Sequence, residues 1–333
     1  MRLPFALPLV LGFGPSVLAQ TPDGAAVYER ACAACHTNPA PDSRAMPRDA
    51  LGRFAPETIL TALTSGNMFR QGSALSDGER RAVSAFVAGR PVGAPTPRAS
   101  TGQCESPPRA LRARDLAGGW NGWGGDVRNT RYLPAAKAGL TEANVPRLVL
   151  KWAFGFAGAS SARAQPAVLG GRVFVASENG DVYALDAESG CTHWTYHAGA
   201  GIRAAVSIAP YSGADGAARF AAYFADGSAT AYALDAATGR ELWTRKVDDH
   251  PYAKATGSVT VHDGRVYVPM AGVGEEGQGG ASTYECCTFR GSITALDAAT
   301  GAVVWKKYLL PERESRGRST TGAPLWGPVG AGV

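Results

Sequence analysis

Ala184-Leu185-Asp186-Ala187-Glu188-Ser189-Gly190, followed by Trp194, recurs as Ala233-Leu234-Asp235-Ala236-Ala237-Thr238-Gly239 with Trp243 and again as Ala295-Leu296-Asp297-Ala298-Ala299-Thr300-Gly301 with Trp305. Each copy reads as the end of a strand, a tight turn and a second strand that opens on tryptophan. The three aspartates stand 49 and 62 positions apart, and a period of this size marks propeller blades rather than a sandwich. The longer interval carries one insertion. Further out, Arg172 to Ser177 and Asp181 to Asp186 are β-rich runs joined by the hairpin turn Glu178-Asn179-Gly180, and Gly264 to Pro269 repeats the opening strand. In each turn the aspartate is read as a cap, the glycine as the residue that permits a positive φ, and the tryptophan as packing between blades. Asp186, Asp235 and Asp297 are therefore structural rather than catalytic. Residues 118–333 hold roughly four units at this period.

The composition leaves room for a second unit before the repeats. The chain has 333 residues, 45% of them hydrophobic and 18% charged, a globular balance that excludes a disordered class. Its net charge of +5 is carried by scattered Lys and Arg without a dense basic run, so no nucleic-acid partner is expected. Residues 1–19 combine Arg2, an apolar run from Leu3 to Leu18 and small or apolar residues at Val17-Leu18-Ala19. That is the pattern of a cleaved secretory signal, hence a periplasmic location. The run is interrupted by Pro4, Pro8 and Pro15 and falls short of the ~20 residues that cross a bilayer, so no stable membrane span is expected. Export permits disulfides, and Cys104 with Cys191 is one available pairing that sequence spacing neither requires nor forbids.

Cys32-Ala33-Ala34-Cys35-His36 is the attachment sequence of haem c. Two thiols with two residues between them reach the vinyl groups along one haem edge, and the adjacent imidazole supplies an axial ligand to the iron. A zinc site would need further ligands close by, and the next cysteine is Cys104. The sixth ligand is sought among methionines. Met46 lies only ten positions beyond His36, a short reach to the opposite haem face, whereas Met68 sits in an irregular stretch just before the last helix. Met68 is the favoured ligand, the alternative being a core methionine beside the haem. Pro56 opens a helix with an apolar face of Ile59, Leu60 and Leu63. Ser76-Asp77-Gly78-Glu79 is a capping box, Val83, Phe86 and Val87 follow at helical spacing, and Gly89 is the stop. This last helix is expected to pack on the one before Cys32. Residues 21–90 thus form a small all-α cytochrome c domain, the proline-rich residues 91–117 a semi-rigid tether, and residues 118–333 an all-β propeller.

The repeated turn and its tryptophan resemble the docking repeats of propellers that bind pyrroloquinoline quinone (PQQ). The segment Trp120-Asn121-Gly122-Trp123-Gly124-Gly125-Asp126 through Asn129-Thr130-Arg131-Tyr132 is similar to the entry segment of that family. Tyr284-Glu285-Cys286-Cys287-Thr288-Phe289-Arg290-Gly291 resembles the polyvinyl-alcohol dehydrogenase group of the PQQ-dependent quinohaemoprotein alcohol dehydrogenases, in which the cytochrome also comes first. The resemblance implies that Cys286 and Cys287 join as a ring that stacks on PQQ. Two separately bridged or buried thiols are the other reading. It further implies Ca²⁺ as a second cofactor, an alcohol substrate and a downstream periplasmic electron acceptor. Arg290, and more weakly Arg203, are candidates to hold a quinone carboxylate or carbonyl, each being equally readable as a solvated surface arginine. The family uses eight blades, so the chain is expected to be part of a longer propeller whose catalytic base and Ca²⁺ ligands lie elsewhere. Non-catalytic assembly propellers share the repeat. A haem c electron shuttle with a propeller used only for docking or assembly is accordingly the alternative function.

Overall fold

The computed structural model describes residues 22–43, 45–64, 66, 68–93, 102–159, 161–212, 218–275 and 284–327. The signal sequence read over residues 1–19 lies outside these. The helical part comprises α1 (Gly24–Ala31), α2 (Ala33–His36), α3 (Arg48–Leu51), α4 (Pro56–Thr64), α5 (Phe69–Gly72) and α6 (Asp77–Ala88). Its core is Val27 and Tyr28 of α1 against Leu63 of α4 and Val83 and Val87 of α6. The first and last helices therefore pack together as the apolar spacing requires. Gly24 makes their crossing close: a Cβ there would stand 2.2 Å from the Ala82 carbonyl oxygen. The α6 start is the capping box read from sequence. Ser76 accepts from the Glu79 amide at 3.3 Å, and Glu79 accepts in return from the Ser76 amide at 2.8 Å. The helix ends at Gly89 with φ of 69°.

The second part is built of antiparallel sheets in sequential order. The first holds β1 (Ala167–Leu169), β2 (Arg172–Ala176), β3 (Asp181–Asp186) and β4 (Thr192–His197). The next holds β5 (Ser207–Ser212), β6 (Ala218–Ala225), β7 (Thr230–Asp235) and β8 (Glu241–Lys246). A short β9 (Ala253–Lys254) pairs with β11 of the third sheet, which runs β10 (Thr260–His262), β11 (Arg265–Gly272), β12 (Ser292–Asp297) and β13 (Val303–Tyr308). Strands β14 (Glu314–Arg318) and β15 (Pro324–Gly327) form a two-stranded hairpin. Among the described residues, three sheets and one two-stranded hairpin stand where the period led to an expectation of about four blades. Dividing length by period counted residues 118–166 as strand, whereas the described part of that stretch is turns, short helical turns and isolated bridges such as Trp120 to Val168.

The blades are locked by one repeated contact. Trp194 donates its indole N–H to the Ala236 carbonyl at 3.2 Å, and Trp243 does the same to Ala298 at 3.0 Å. Each ring covers the turn glycine of the following blade: a Cβ on Gly239 or Gly301 would lie 2.7 Å from the ring of Trp194 or Trp243. Both glycines have positive φ, 72° and 69°, so they are required twice, for conformation and for space. The aspartates are caps. Oδ1 of Asp297, for example, accepts the Thr300 amide at 2.9 Å, the Thr300 hydroxyl at 2.8 Å and the Ala299 amide at 3.1 Å. A further docking tryptophan went unread, because no such turn precedes it: Trp152 donates to the Ala187 carbonyl at 3.1 Å and covers Gly190.

The proline-rich stretch differs from the expected tether. From Gly102 onward it is fastened to the first blade, with Cys104 N–H on the Thr192 carbonyl at 3.1 Å and Thr192 N–H on the Gly102 carbonyl at 2.7 Å. Cys104 and Cys191 are joined as a disulfide. Arg172, fully buried in β2, donates to the carbonyls of Arg109 in this stretch and Ala236 in the next blade. Burial, with the charge of Arg109 nearby, lowers its pKa to about 10, which leaves it a cation at neutral pH. Among the described residues, no helix is long and apolar enough to cross a membrane.

Candidate functional site

Two sites emerge, one in each part. In the helical part, the α1 C-terminus runs directly into α2, so Cys32, Cys35 and His36 share a single turn, with the His36 amide on the Cys32 carbonyl at 3.0 Å. Cys32 and Cys35 are free thiols, Cys32 partly buried and Cys35 exposed. Burial, and then the neighbouring Cys35, pushes the Cys32 thiol pKa up. His36 is buried at 8% exposure, and its Nδ1 lies 2.7 Å from the Met46 carbonyl oxygen. A carbonyl only accepts, so Nδ1 carries the proton and Nε2 is left with its lone pair, as an axial ligand requires. Met46 thus holds the ring of His36 through its backbone, while its own side chain is exposed. Met68 packs against the helical core together with Cys32, Ala33, Ile59 and Phe86. The donor set fits a covalently attached haem: two unpaired thiols, one imidazole fixed through its far nitrogen, and one thioether in the same cluster.

In the propeller part, Cys286 and Cys287 are bonded to each other, and the peptide between them is cis. The reading of two separate thiols is set aside, since Cys104 and Cys191 are already paired. Cys286 is buried and Cys287 partly exposed. The hairpin that follows the third blade holds one side of the pair: the Cys286 amide donates to the Pro324 carbonyl at 3.1 Å, and the Trp326 amide donates to the Cys286 carbonyl at 2.8 Å.

The other side is held by Glu275, a residue the sequence reading missed. It is 3% exposed, and its carboxylate faces donors from the cysteine loop. Tyr284 donates its hydroxyl at 2.8 Å, Thr288 its hydroxyl at 3.0 Å and its amide, and the Phe289 amide reaches Oε2 at 3.0 Å. Burial, and Glu275 beside it, push the Tyr284 hydroxyl well above the usual tyrosine range, so it remains a donor. His250 extends the network. Its Nδ1 accepts from the Tyr252 amide at 3.2 Å, which places the neutral ring's proton on Nε2, 2.8 Å from the Thr288 hydroxyl oxygen. The proton positions thus run His250 to Thr288 to Glu275. The only sequence signal for Glu275 was its acidic pair with Glu276 ahead of the insertion.

Arg290 lies on the same loop, with its guanidinium over the Tyr308 ring at 4.2 Å and one N–H on the Leu310 carbonyl at 2.7 Å. Its Nε is buried without a hydrogen-bond partner among the described residues, as is Nε1 of Trp326. Both donors lie on segments tied to the cysteine pair, and a buried donor without a partner is the kind of group a ligand oxygen can satisfy. Arg203 is exposed just before β5 in the second blade, and no hydrogen bond joins it to the cysteine loop among the described residues. Nor do three or more His, Cys, Asp or Glu side chains converge among the described residues as a cage for a metal ion, and so none of them is assigned to Ca²⁺.

These parts define a class: a c-type cytochrome domain followed by a tryptophan-docked, β-sheet-rich propeller. The chain belongs to the PQQ_2 family, whose model carries the description outer membrane protein assembly factor BamB and matches residues 111–329. Residues 19–87 match a second model, cytochrome c oxidase, cbb3-type, subunit III. Across 98% of its length the chain is 37% identical to a polyvinylalcohol dehydrogenase of Pseudomonas sp, covering 52% of that protein. It is 36% identical to the polyvinylalcohol dehydrogenase of Sphingopyxis sp. strain 113P3, of which it covers 50%. The chain therefore spans about half the length of these curated relatives. The crystal structure of quinohemoprotein alcohol dehydrogenase from Comamonas testosteroni aligns with 59% of this chain and 28% of its own, at 26% identity and a TM-score of 0.45.

Proposed function

We propose that the chain is the haem-bearing and quinone-facing portion of a periplasmic dehydrogenase that oxidises an alcohol, of the polyvinyl alcohol class, to a carbonyl. The observation that carries the reading is a closed Cys286–Cys287 disulfide in the same polypeptide as a C-x-x-C-H turn. Similarity to two polyvinylalcohol dehydrogenases across nearly all of the chain supports the substrate class. PQQ, when bound, would take up the two electrons and two protons released as an alcohol becomes a carbonyl, and haem c would pass those electrons on one at a time to an external acceptor.

The chain's own residues prepare both places. Cys32 and Cys35 would supply thiols for covalent attachment of haem, the Met46 carbonyl orients the His36 ring that would bind its iron, and Met68 would supply a thioether donor. Cys286 and Cys287 offer a rigid sulfur surface, while Arg290 Nε and Trp326 Nε1 offer donors to the oxygens of a flat carboxylated quinone. Covalent linkage of the two units raises the effective concentration of the electron acceptor.

The test is the visible spectrum of the full-length gene product, expressed in the periplasm and given PQQ and Ca²⁺ before a polyvinyl alcohol oligomer. Reduced-haem bands that appear only with quinone and alcohol together are expected. A c-type spectrum that responds to no alcohol would favour the haem shuttle with a docking or assembly propeller, the reading closest to the description of the matched family.

A further inference from the structure

We propose that Glu275 is a positioning residue that keeps the Cys286–Cys287 pair closed and fixed in place. A single buried carboxylate takes hydrogen bonds from both flanks of the pair: from Tyr284, two residues before it, and from Thr288 and Phe289, one and two residues after it. The Glu275 carbonyl oxygen lies 3.7 Å from Cys286 Sγ, which as a disulfide sulfur has no proton to donate, so the hold of Glu275 on the pair comes from its carboxylate. Across the pair, Pro324 and Trp326 hold the Cys286 amide and carbonyl. The cysteines are thus clamped from two directions by groups far apart in sequence.

The arrangement bears directly on the redox state of the pair. Reduction consumes two electrons and two protons and turns one S–S bond into two thiols, which a dithiol such as dithiothreitol supplies while closing into its own cyclic disulfide. Two free thiols need room to swing apart, and the loop gives that room only by loosening its bonds to Glu275. Any thiolate that forms does so close to a buried negative charge, which disfavours it. Both effects hold the pair oxidised. The Thr288 hydroxyl is committed as well, being held between His250 and Glu275. The functional consequence, a sulfur surface held at constant position for the quinone, rests on the reading proposed above, but the clamp itself does not.

The experiment titrates the haem-loaded full chain against dithiothreitol buffers without quinone, with alkylation and mass spectrometry reading each disulfide separately. In Glu275→Gln an amide N–H₂ faces groups that can only donate or prefer to donate. The Cys286–Cys287 equilibrium is expected to move at least tenfold toward the dithiol, about 30 mV, with Cys104–Cys191 unchanged as the internal reference. Tyr284→Phe and Thr288→Val each remove one bond to the carboxylate and are expected to shift the same pair by about threefold. They decide the matter alone if the Glu275 variant does not fold. A wild-type equilibrium in all folded variants, or an equal shift of both disulfides, would overturn the proposal. PQQ affinity, measured by fluorescence on the same proteins, separates the two claims. A wild-type chain that binds no quinone while its variants still shift the disulfide would sink the quinone reading and leave the clamp standing.

Discussion

Around His36 the two methionines of the cytochrome domain take different parts, and this can be tested one residue at a time. Met46 acts through its carbonyl, a group every residue possesses, whereas Met68 is a partly buried thioether that, like Cys32, packs against the helical core. In the haem-loaded protein, Met68→Ala should abolish the sulfur-to-iron charge-transfer band. It should also lower the reduction potential on the order of 0.1 V, within the roughly 0.8 V that axial ligands command. Met46→Ala should leave both unchanged, and loss of the band in that variant would move the ligand assignment. The same contrast explains what sequence can show. The thiols and imidazole were legible because covalent attachment demands those residue types at that spacing. The Met46 carbonyl carries no residue signature. Glu275 was equally hidden, because it reaches Thr288 and Phe289 across an insertion whose course the sequence does not specify.

At the level of the element, the blade turn was readable because three demands fall on adjacent positions: an aspartate cap, a glycine with positive φ and a tryptophan that needs that glycine bare. Trp152 fulfils the docking role without the turn and so left no mark in the repeat. Replacing Gly301 with alanine puts a Cβ 2.7 Å from the Trp243 ring on a residue with φ of 69°. The left-handed conformation alone costs an L-residue about 1–2 kcal/mol, and displacing the ring adds to it. Gly301→Ala should therefore lose about 2 kcal/mol or more in a denaturant melt, with a red shift of tryptophan emission as Trp243 is pushed from its seat.

The cap itself predicts a pH window. The Thr300 hydroxyl first, and then the amides of Thr300 and Ala299, hold the Asp297 carboxyl below the usual carboxylate range. A lowered folded pKa means that the stabilisation is fully present above the ordinary aspartate pKa of about 3.9 and fades as pH falls through the folded value. Asp297 is partly exposed, so the gain is discounted for solvent screening. Asp297→Asn should cost under about 1 kcal/mol at pH 7. Below pH ~4 that difference should shrink toward zero. A gap that stayed constant down to pH ~2 would mean the charge plays no part.

For the molecule as a whole, the sequence separated a cytochrome unit from a propeller unit but not the way the intervening stretch is used. Prolines announced a tether, whereas Cys104, the Thr192 contacts and buried Arg172 bind that stretch to the first blade. Spacing left the Cys104–Cys191 pairing open because a disulfide requires a distance, and distance follows only from the folded path. Apolar side chains stay exposed before the first blade and on the last strand of the third: Val149 and Leu150 are 86% and 84% exposed, and Trp305 is 39% exposed where Trp194 and Trp243 are 7% and 8%. Among the described residues no glycine sits under Trp305 as Gly239 and Gly301 do under Trp194 and Trp243, while at the first blade the Cys104–Cys191 disulfide fastens the preceding stretch just ahead of β4. It spans 87 residues, and cross-linking a loop of that size removes chain entropy worth about 4–5 kcal/mol from the unfolded state. All seven tryptophans lie beyond residue 118, so tryptophan emission follows the propeller unit, while haem absorbance follows the α1 to α6 unit, whose core is its own. In the Cys104→Ser, Cys191→Ser double variant the emission transition should move to lower denaturant by an amount equivalent to several kcal/mol. The haem transition should stay where it is. If both transitions moved together, the two units would unfold as one, and the disulfide would be stabilising the entire chain rather than the blades it is fastened to.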